Sequence, residues 1–238
     1  MFIVRSRKSV VWGLIFAVVG LTLGAAVKFS PYVKTFGYGE KDRIAVVVDA
    51  GHGQPDGGTV GAGGTVEQEI NLAIAQKLCE VLEGKGIRTV MTRTSEEGLQ
   101  GEHAGSVREM KREDMNKRTE IMKTSKADLF VSIHMNSFDS PKISGLRLFY
   151  DKKHPEMKEL AEIMQQKMGG VTGAQMKAVK AADERLFLMK NPPLPSILVE
   201  CGFLSNPEEE QKLNDAEYQA KLAWAIADSI EKYFAAGE

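Results

Sequence analysis

This sequence has little sulfur with which to staple itself. It holds two cysteines, Cys79 and Cys201, far apart and each inside an apolar periodic segment. That is the setting of a buried free thiol rather than of a disulfide framework, although one bridge between them stays open as an alternative. An excess of either charge is also missing, with 31 basic against 32 acidic residues. Residues 1–27 carry Arg5, Arg7 and Lys8 and no acid, which leaves 28 basic against 32 acidic residues beyond them. Such a balance excludes a polyanion binder, and with it nucleic acid as the partner. Internal repeats and low-complexity tracts are absent too. A chain of 238 residues is long enough to bury a real core, as one moderately large domain or two small ones.

What is present begins with one long uncharged run. Behind the basic cluster ending at Lys8, residues 9–27 form 19 positions rich in Val, Leu, Ile and Ala. About 20 apolar residues span a hydrocarbon core, and Gly24-Ala25-Ala26 supply the small residues that a signal peptidase accepts. Residues 1–27 therefore read as a signal peptide or a membrane anchor, with the basic flank on the cytoplasmic side and the bulk of the chain outside. Residues 28–43, with Pro31, Gly37 and Gly39, read as a linker, and the globular domain is predicted over 44–238.

Within that domain, short β-branched runs alternate with stretches of helical period. The pattern predicts strands at 44–48, 88–92, 128–134, 145–150, 186–189 and 196–201. Helices are predicted at 69–85, 110–124, 157–168 and 218–233. The many charges of 110–124, where Met115, Arg118, Ile121 and Met122 fall at helical spacing, read as a solvated face. The Met157, Met164 and Met168 stripe reads as core packing. The expected architecture is a single α/β domain, with a central mostly parallel or mixed sheet of about six strands and helices on both faces.

Four histidines are available for chemistry. His103 and His154 lie in polar loops and read as surface residues. His52 follows the first strand, and His134 ends the strand containing Val131-Ser132-Ile133, both where α/β proteins place their sites. Glu67 opens the first helix after a loop, 51–64, whose glycines let backbone bend around a bound group. Two imidazoles and a carboxylate are a recurring catalytic zinc set, because three protein ligands leave a fourth position for water. Taken singly each residue has a plainer reading, Glu67 as a carboxylate favoured by the helix dipole for example. Glu200 ends the apolar strand Ser196-Ile197-Leu198-Val199, where an ionised side chain is costly to bury unless paired or employed. It reads either as a strand-end acid held by a base or as a general base.

Four words of the sequence then fall in register: Val47-Val48-Asp49-Ala50-Gly51-His52-Gly53; Glu67 leading into Ile70-Asn71-Leu72; Ser132-Ile133-His134-Met135-Asn136; and Val199-Glu200-Cys201-Gly202-Phe203-Leu204-Ser205-Asn206. Together they resemble the zinc-dependent N-acetylmuramoyl-L-alanine amidases of bacterial cell-wall remodelling, over nearly all of 44–234. The Met91-Thr92-Arg93 strand end and the run from Arg118 to Leu129 look most like the germination-specific, spore-cortex branch. The resemblance implies one Zn2+ held by His52, Glu67 and His134, and Glu200 as the catalytic residue. It also implies peptidoglycan, in the cortex, as substrate, and an extracytoplasmic location through the N-terminal segment. Gln54, Gln68 and Cys201 depart from the common pattern, and none removes a ligand. The short stretch between His134 and Glu200 leaves no room for the inserted helix that blocks the site in some relatives, which directs control toward an activating protein partner. Two rival readings are a zinc peptidase acting within the stem peptide and a non-catalytic peptidoglycan-binding module.

Overall fold

The computed structural model describes residues 44–101 and 105–236. Residues 1–27, expected to be an export signal or anchor, residues 28–43, expected to be a linker, and His103 lie outside the described residues. Among those described, no helix is long and apolar enough to cross a membrane.

The elements run β1 (Ala45–Ala50), α1 (Glu67–Gly84), β2 (Arg88–Met91), α2 (Val107–Thr124), β3 (Leu129–Asn136), β4 (Arg147–Tyr150), α3 (Met157–Thr172), β5 (Lys180–Ala181), α4 (Phe187–Lys190), β6 (Ser196–Phe203), α5 (Pro207–Leu213) and α6 (Ala216–Ala235). They build one six-stranded sheet of order β2-β1-β3-β6-β4-β5. The neighbours β2, β1, β3 and β6 run parallel, while β4 is antiparallel to β6 and parallel to β5. The expected mixed α/β sheet is what forms.

All six residues of β1 are buried, because an interior parallel strand is covered on both faces and reads as a continuous apolar run. Its period of two divides it. Ala45 and Val47 join Phe130 and Met122 of α2 on one face, while Val46, Val48 and Ala50 meet the core shared with α1, α3 and α6 on the other. Helices therefore cover both faces. The chain leaves β1 through α1 to β2 on one side and returns through α2 to β3 on the other side of β1. That reversal opens a crevice at the carboxyl ends of β1 and β3, the place where open α/β sheets bind ligands.

Two local expectations are corrected, and two small elements join those expected. Residues 186–189 form no strand; the four-residue helix α4 covers Phe187–Lys190, since periodicity cannot distinguish so short an apolar run. The small elements β5 and α5 carry too little pattern to be seen as apolar repeats. The start of α5 was nevertheless written in polar code: Asn206 Oδ1 accepts from the backbone N–H groups of Glu208 and Glu209, both at 3.1 Å, with Pro207 next to it. Finally, α2 is not simply a solvated face, because Arg118 is completely buried. Both cysteines are buried and free, as expected.

Candidate active site

β1 ends in a turn held from below. His52 has φ of 62°, a left-handed conformation that costs a non-glycine residue roughly 1 kcal/mol or more. Two buried arginines hold it there. Arg93 Nε donates to His52 O at 2.7 Å and to Ala50 O at 2.9 Å, and its Nη2 donates to Gly51 O at 3.0 Å. Arg118 Nη2 donates to His52 O at 2.5 Å, and its Nη1 donates to Ala50 O at 2.9 Å. Arg118 is itself fixed by two carboxylates, Asp49 at the end of β1 and Asp114 one turn back along α2. Asp49 also accepts from Thr92 Oγ1 at 2.7 Å and Ser132 Oγ at 2.5 Å, which ties β1 to β2 and β3. Burial pushes the Asp49 carboxyl up, but Arg118, Ser132 and Thr92 together hold it below the usual carboxylate range.

Above this turn His52, Glu67 and His134 converge, with one candidate ligand atom from each lying within 4.8 Å of the others. His52 Nε2 is 3.3 Å, and His134 Nδ1 3.0 Å, from Glu67 Oε1. The second oxygen, Oε2, is held by the N–H of Thr59 at 2.9 Å. The glycines in the loop have a steric reason. A Cβ on Gly51 would overlap the His134 ring, and one on Gly58 would stand 2.5 Å from Glu67 Oε2 and 2.8 Å from His52 Cδ2. Burial pushes Glu67 up, yet the two histidines hold its carboxyl far below its ordinary value. Burial pulls the His52 imidazole down, and hydrogen bonds to Asp56 and Glu67 override it, lifting the ring to about 9. Two imidazoles and one well-ionised carboxylate facing a common point are a donor set that suits a divalent metal, which would take the place of the shared proton.

Asp56 was not singled out in the sequence. Its Oδ2 lies 3.1 Å from His52 Nδ1 and 2.8 Å from Lys111 Nζ. It therefore fixes the ring nitrogen that faces away from the converging group, the arrangement by which a carboxylate orients a metal-binding imidazole. Asp56→Ala is expected to weaken metal affinity about 10- to 100-fold while leaving the fold intact. Competition with a chromogenic chelator checks this, and unchanged affinity would refute the orienting role.

Glu200 sits on β6 directly opposite His134 in the parallel pairing of β3 and β6, and opposite Arg147 on β4. Its Oε2 is buried without a hydrogen-bond partner among the described residues. Burial is the main reason that its carboxyl is pushed up to about 7, with Glu67 adding to the rise and the histidines and Arg147 opposing it. A carboxyl poised near neutrality can both accept and return a proton. A cavity of about 560 Å3 opens over these groups, lined by His52, Glu67, His134 and Glu200 and by residues of α2 and α4. His154 is not among its lining residues: half-buried rather than on the surface, it pairs through Nδ1 with Asp151 at 2.9 Å. Of the residues that sequence reading passed over, Arg118 had a visible signal, since it shares the helical stripe of Met115 and Met122. Arg93 entered only as the end of the Met91-Thr92-Arg93 strand, with nothing to mark its role, and Asp56 had no signal.

The chain matches the N-acetylmuramoyl-L-alanine amidase family Amidase_3 over residues 46–232. It is 35% identical over 190 residues to the germination-specific N-acetylmuramoyl-L-alanine amidase of Bacillus subtilis, covering 79% of each chain. Among solved structures it superposes on the CwlD amidase of Clostridioides difficile, determined in complex with the GerS lipoprotein, with a TM-score of 0.78 and 38% identity, covering 82% of this chain and 100% of that one. The amidase AmiC2 of Nostoc punctiforme gives a TM-score of 0.69 at 31% identity, covering 81% of this chain and 97% of that one. With the match running through every strand and helix that carries the converging group, this chain belongs to the N-acetylmuramoyl-L-alanine amidase family of peptidoglycan hydrolases.

Proposed function

We propose that the chain hydrolyses the amide between N-acetylmuramic acid and L-alanine in peptidoglycan, with one Zn2+ held by His52, Glu67 and His134 and with Glu200 as the proton-transferring carboxylate. The observation that carries this reading is the convergence of those three donors within 4.8 Å beside Glu200, whose buried Oε2 has no hydrogen-bond partner among the described residues. Zinc, when bound there, supplies Lewis acidity that polarises the scissile carbonyl and acidifies the attacking water. The protein's own groups do the rest. Asp56, Arg93 and Arg118 hold His52 in place, Thr59 holds Glu67, and the cavity positions the carbonyl carbon beside Glu200. Glu200 takes the proton of the attacking water and delivers one to the departing nitrogen, so that the C–N bond breaks to leave a muramic acid carboxylate and a peptide with a free alanine amine.

The germination-specific relative in Bacillus subtilis supports a role in germination, which we place at the spore cortex, and the basic, then uncharged apolar composition of residues 1–27 supports an extracytoplasmic location through an export signal or anchor. The GerS complex of the Clostridioides difficile CwlD supports control of this chain by a protein partner as well. Digestion of purified peptidoglycan, read by mass spectrometry, tests the reaction. Stem peptides with N-terminal alanine are the expected product, and fragments cut within the stem would overturn the reading in favour of a peptidase.

A further inference from the structure

The cavity over the converging group is uneven in charge. Its lining includes the carboxylates of Asp49, Glu67 and Glu200, while the first turns of α2 bring in Arg108, Lys111 and Arg112, and Arg185 comes from the segment before α4. Not all of these cations are available to a ligand. Lys111 is bound to Asp56 at 2.8 Å, and Arg185 to Asp183 at 2.6 Å. Arg108 and Arg112 make no ion pair among the described residues, although acids surround them in sequence. Those acids have other partners: Glu109 accepts from Ser106 in the capping box and feels Arg112 only through space, Glu113 pairs with Lys117, and Asp114 pairs with Arg118.

Arg108 and Arg112 are four residues apart on one helix and therefore share a face, and both line the cavity. Like charges at that spacing repel each other and weaken the helix, a cost that a bound anion between them removes. Two guanidinium groups offer planar pairs of N–H donors matched to a carboxylate, which an amide cannot engage with the same charge. Peptidoglycan stems present such a group: the residue after the scissile alanine is a glutamyl unit with a free carboxylate, which in some walls is converted to a carboxamide.

We propose that Arg108 and Arg112 form a carboxylate-recognition subsite for the leaving peptide, so that the enzyme selects acidic stem peptides over amidated ones. This rests on the amidase reading given above. Two soluble disaccharide-peptides test it, identical except for carboxylate or carboxamide at the second residue. Both hydrolysis by the otherwise unaltered chain and binding to Glu200→Gln are measured, with and without Arg108→Gln plus Arg112→Gln. The unaltered arginines are expected to favour the carboxylate by about tenfold or more in kcat/KM and in Kd, the size of a charge-assisted hydrogen bond at a partly solvated site. The double replacement is expected to bring both ratios to about one, and added salt to compress the native ratios. A native binding ratio near one, or a ratio that survives the double replacement, overturns the subsite. Discriminating binding without hydrolysis of either compound would overturn the amidase reading and leave the subsite standing.

Discussion

Glu200→Gln is expected to keep the fold and the uptake of zinc while lowering kcat about a thousandfold, within the range that positioned acid–base groups contribute. The residue lies outside the converging group of His52, Glu67 and His134, so its replacement removes no donor atom from that set. What it removes is the group that can cycle a proton, poised at about 7 because burial disfavours its charge. The amide isostere preserves shape, and so separates proton transfer from packing. Wild-type rates in Glu200→Gln would refute the role; loss of zinc together with activity would move Glu200 into the metal site.

The same replacement makes an expectation for stability. The Glu200 carboxyl is raised in the folded metal-free protein from an ordinary value of 4.5 to about 7, so between those values the folded state binds more protons than the unfolded one. Stability of the wild type must therefore fall as pH rises through that window. Glu200→Gln does not titrate there and escapes the loss. Metal-free Glu200→Gln should consequently melt above the wild type at pH 8, with the gap narrowing toward pH 4.5, as scanning calorimetry would show.

Arg118→Leu is expected to cost about 3–5 kcal/mol of stability, the range for breaking a buried ion pair by removing one partner. The side chain is 0% exposed and so is its partner Asp49, so the change leaves a buried carboxylate unpaired and Asp114 without its main cation. For a chain of this size that corresponds to a fall in Tm of roughly 6–20 °C. It also removes two donors to the Ala50 and His52 carbonyls, which hold the left-handed turn, so metal affinity should fall with stability. Arg118→Lys keeps the charge but lacks the fork that spans both carbonyls, and is expected to lose less stability than Arg118→Leu while still loosening the site. Because Asp49 is held below the ordinary carboxylate range, its contribution is present at neutral pH and disappears as pH falls through the folded-state value. Thermal denaturation decides the matter: a loss under about 1 kcal/mol in Arg118→Leu would show that the network does not support the turn.

The apolar triplet Val46-Val47-Val48, the run Leu129-Phe130-Val131 and the run Ile197-Leu198-Val199 were legible as strands because an interior parallel strand must be apolar on both faces. The site was legible for a related reason. His52 and His134 stand at the carboxyl ends of such runs, and those ends meet at one crevice when the strands pair in parallel. Glu200 stood out because a carboxylate terminating an apolar strand needs an explanation.

The elements that escaped are those in which local pattern and tertiary environment disagree. Leu186-Phe187-Leu188-Met189 has the composition of a strand, and forms a turn of helix because it packs beside the cavity rather than pairing in the sheet. Arg118 carries a charge and so read as solvent-facing, yet it is buried because Asp49 and Asp114 arrive from β1 and from its own helix to neutralise it. The sequence by itself determined the sheet, the residues at its carboxyl edge and the chemistry they offer, since strand period and residue type are local properties. Only the tertiary structure decided that Asp56 orients His52, that two arginines hold its strained turn, and that Arg108 and Arg112 line the cavity with no ion pair among the described residues. Pairing between distant segments selects those contacts, and no spacing along the chain encodes them.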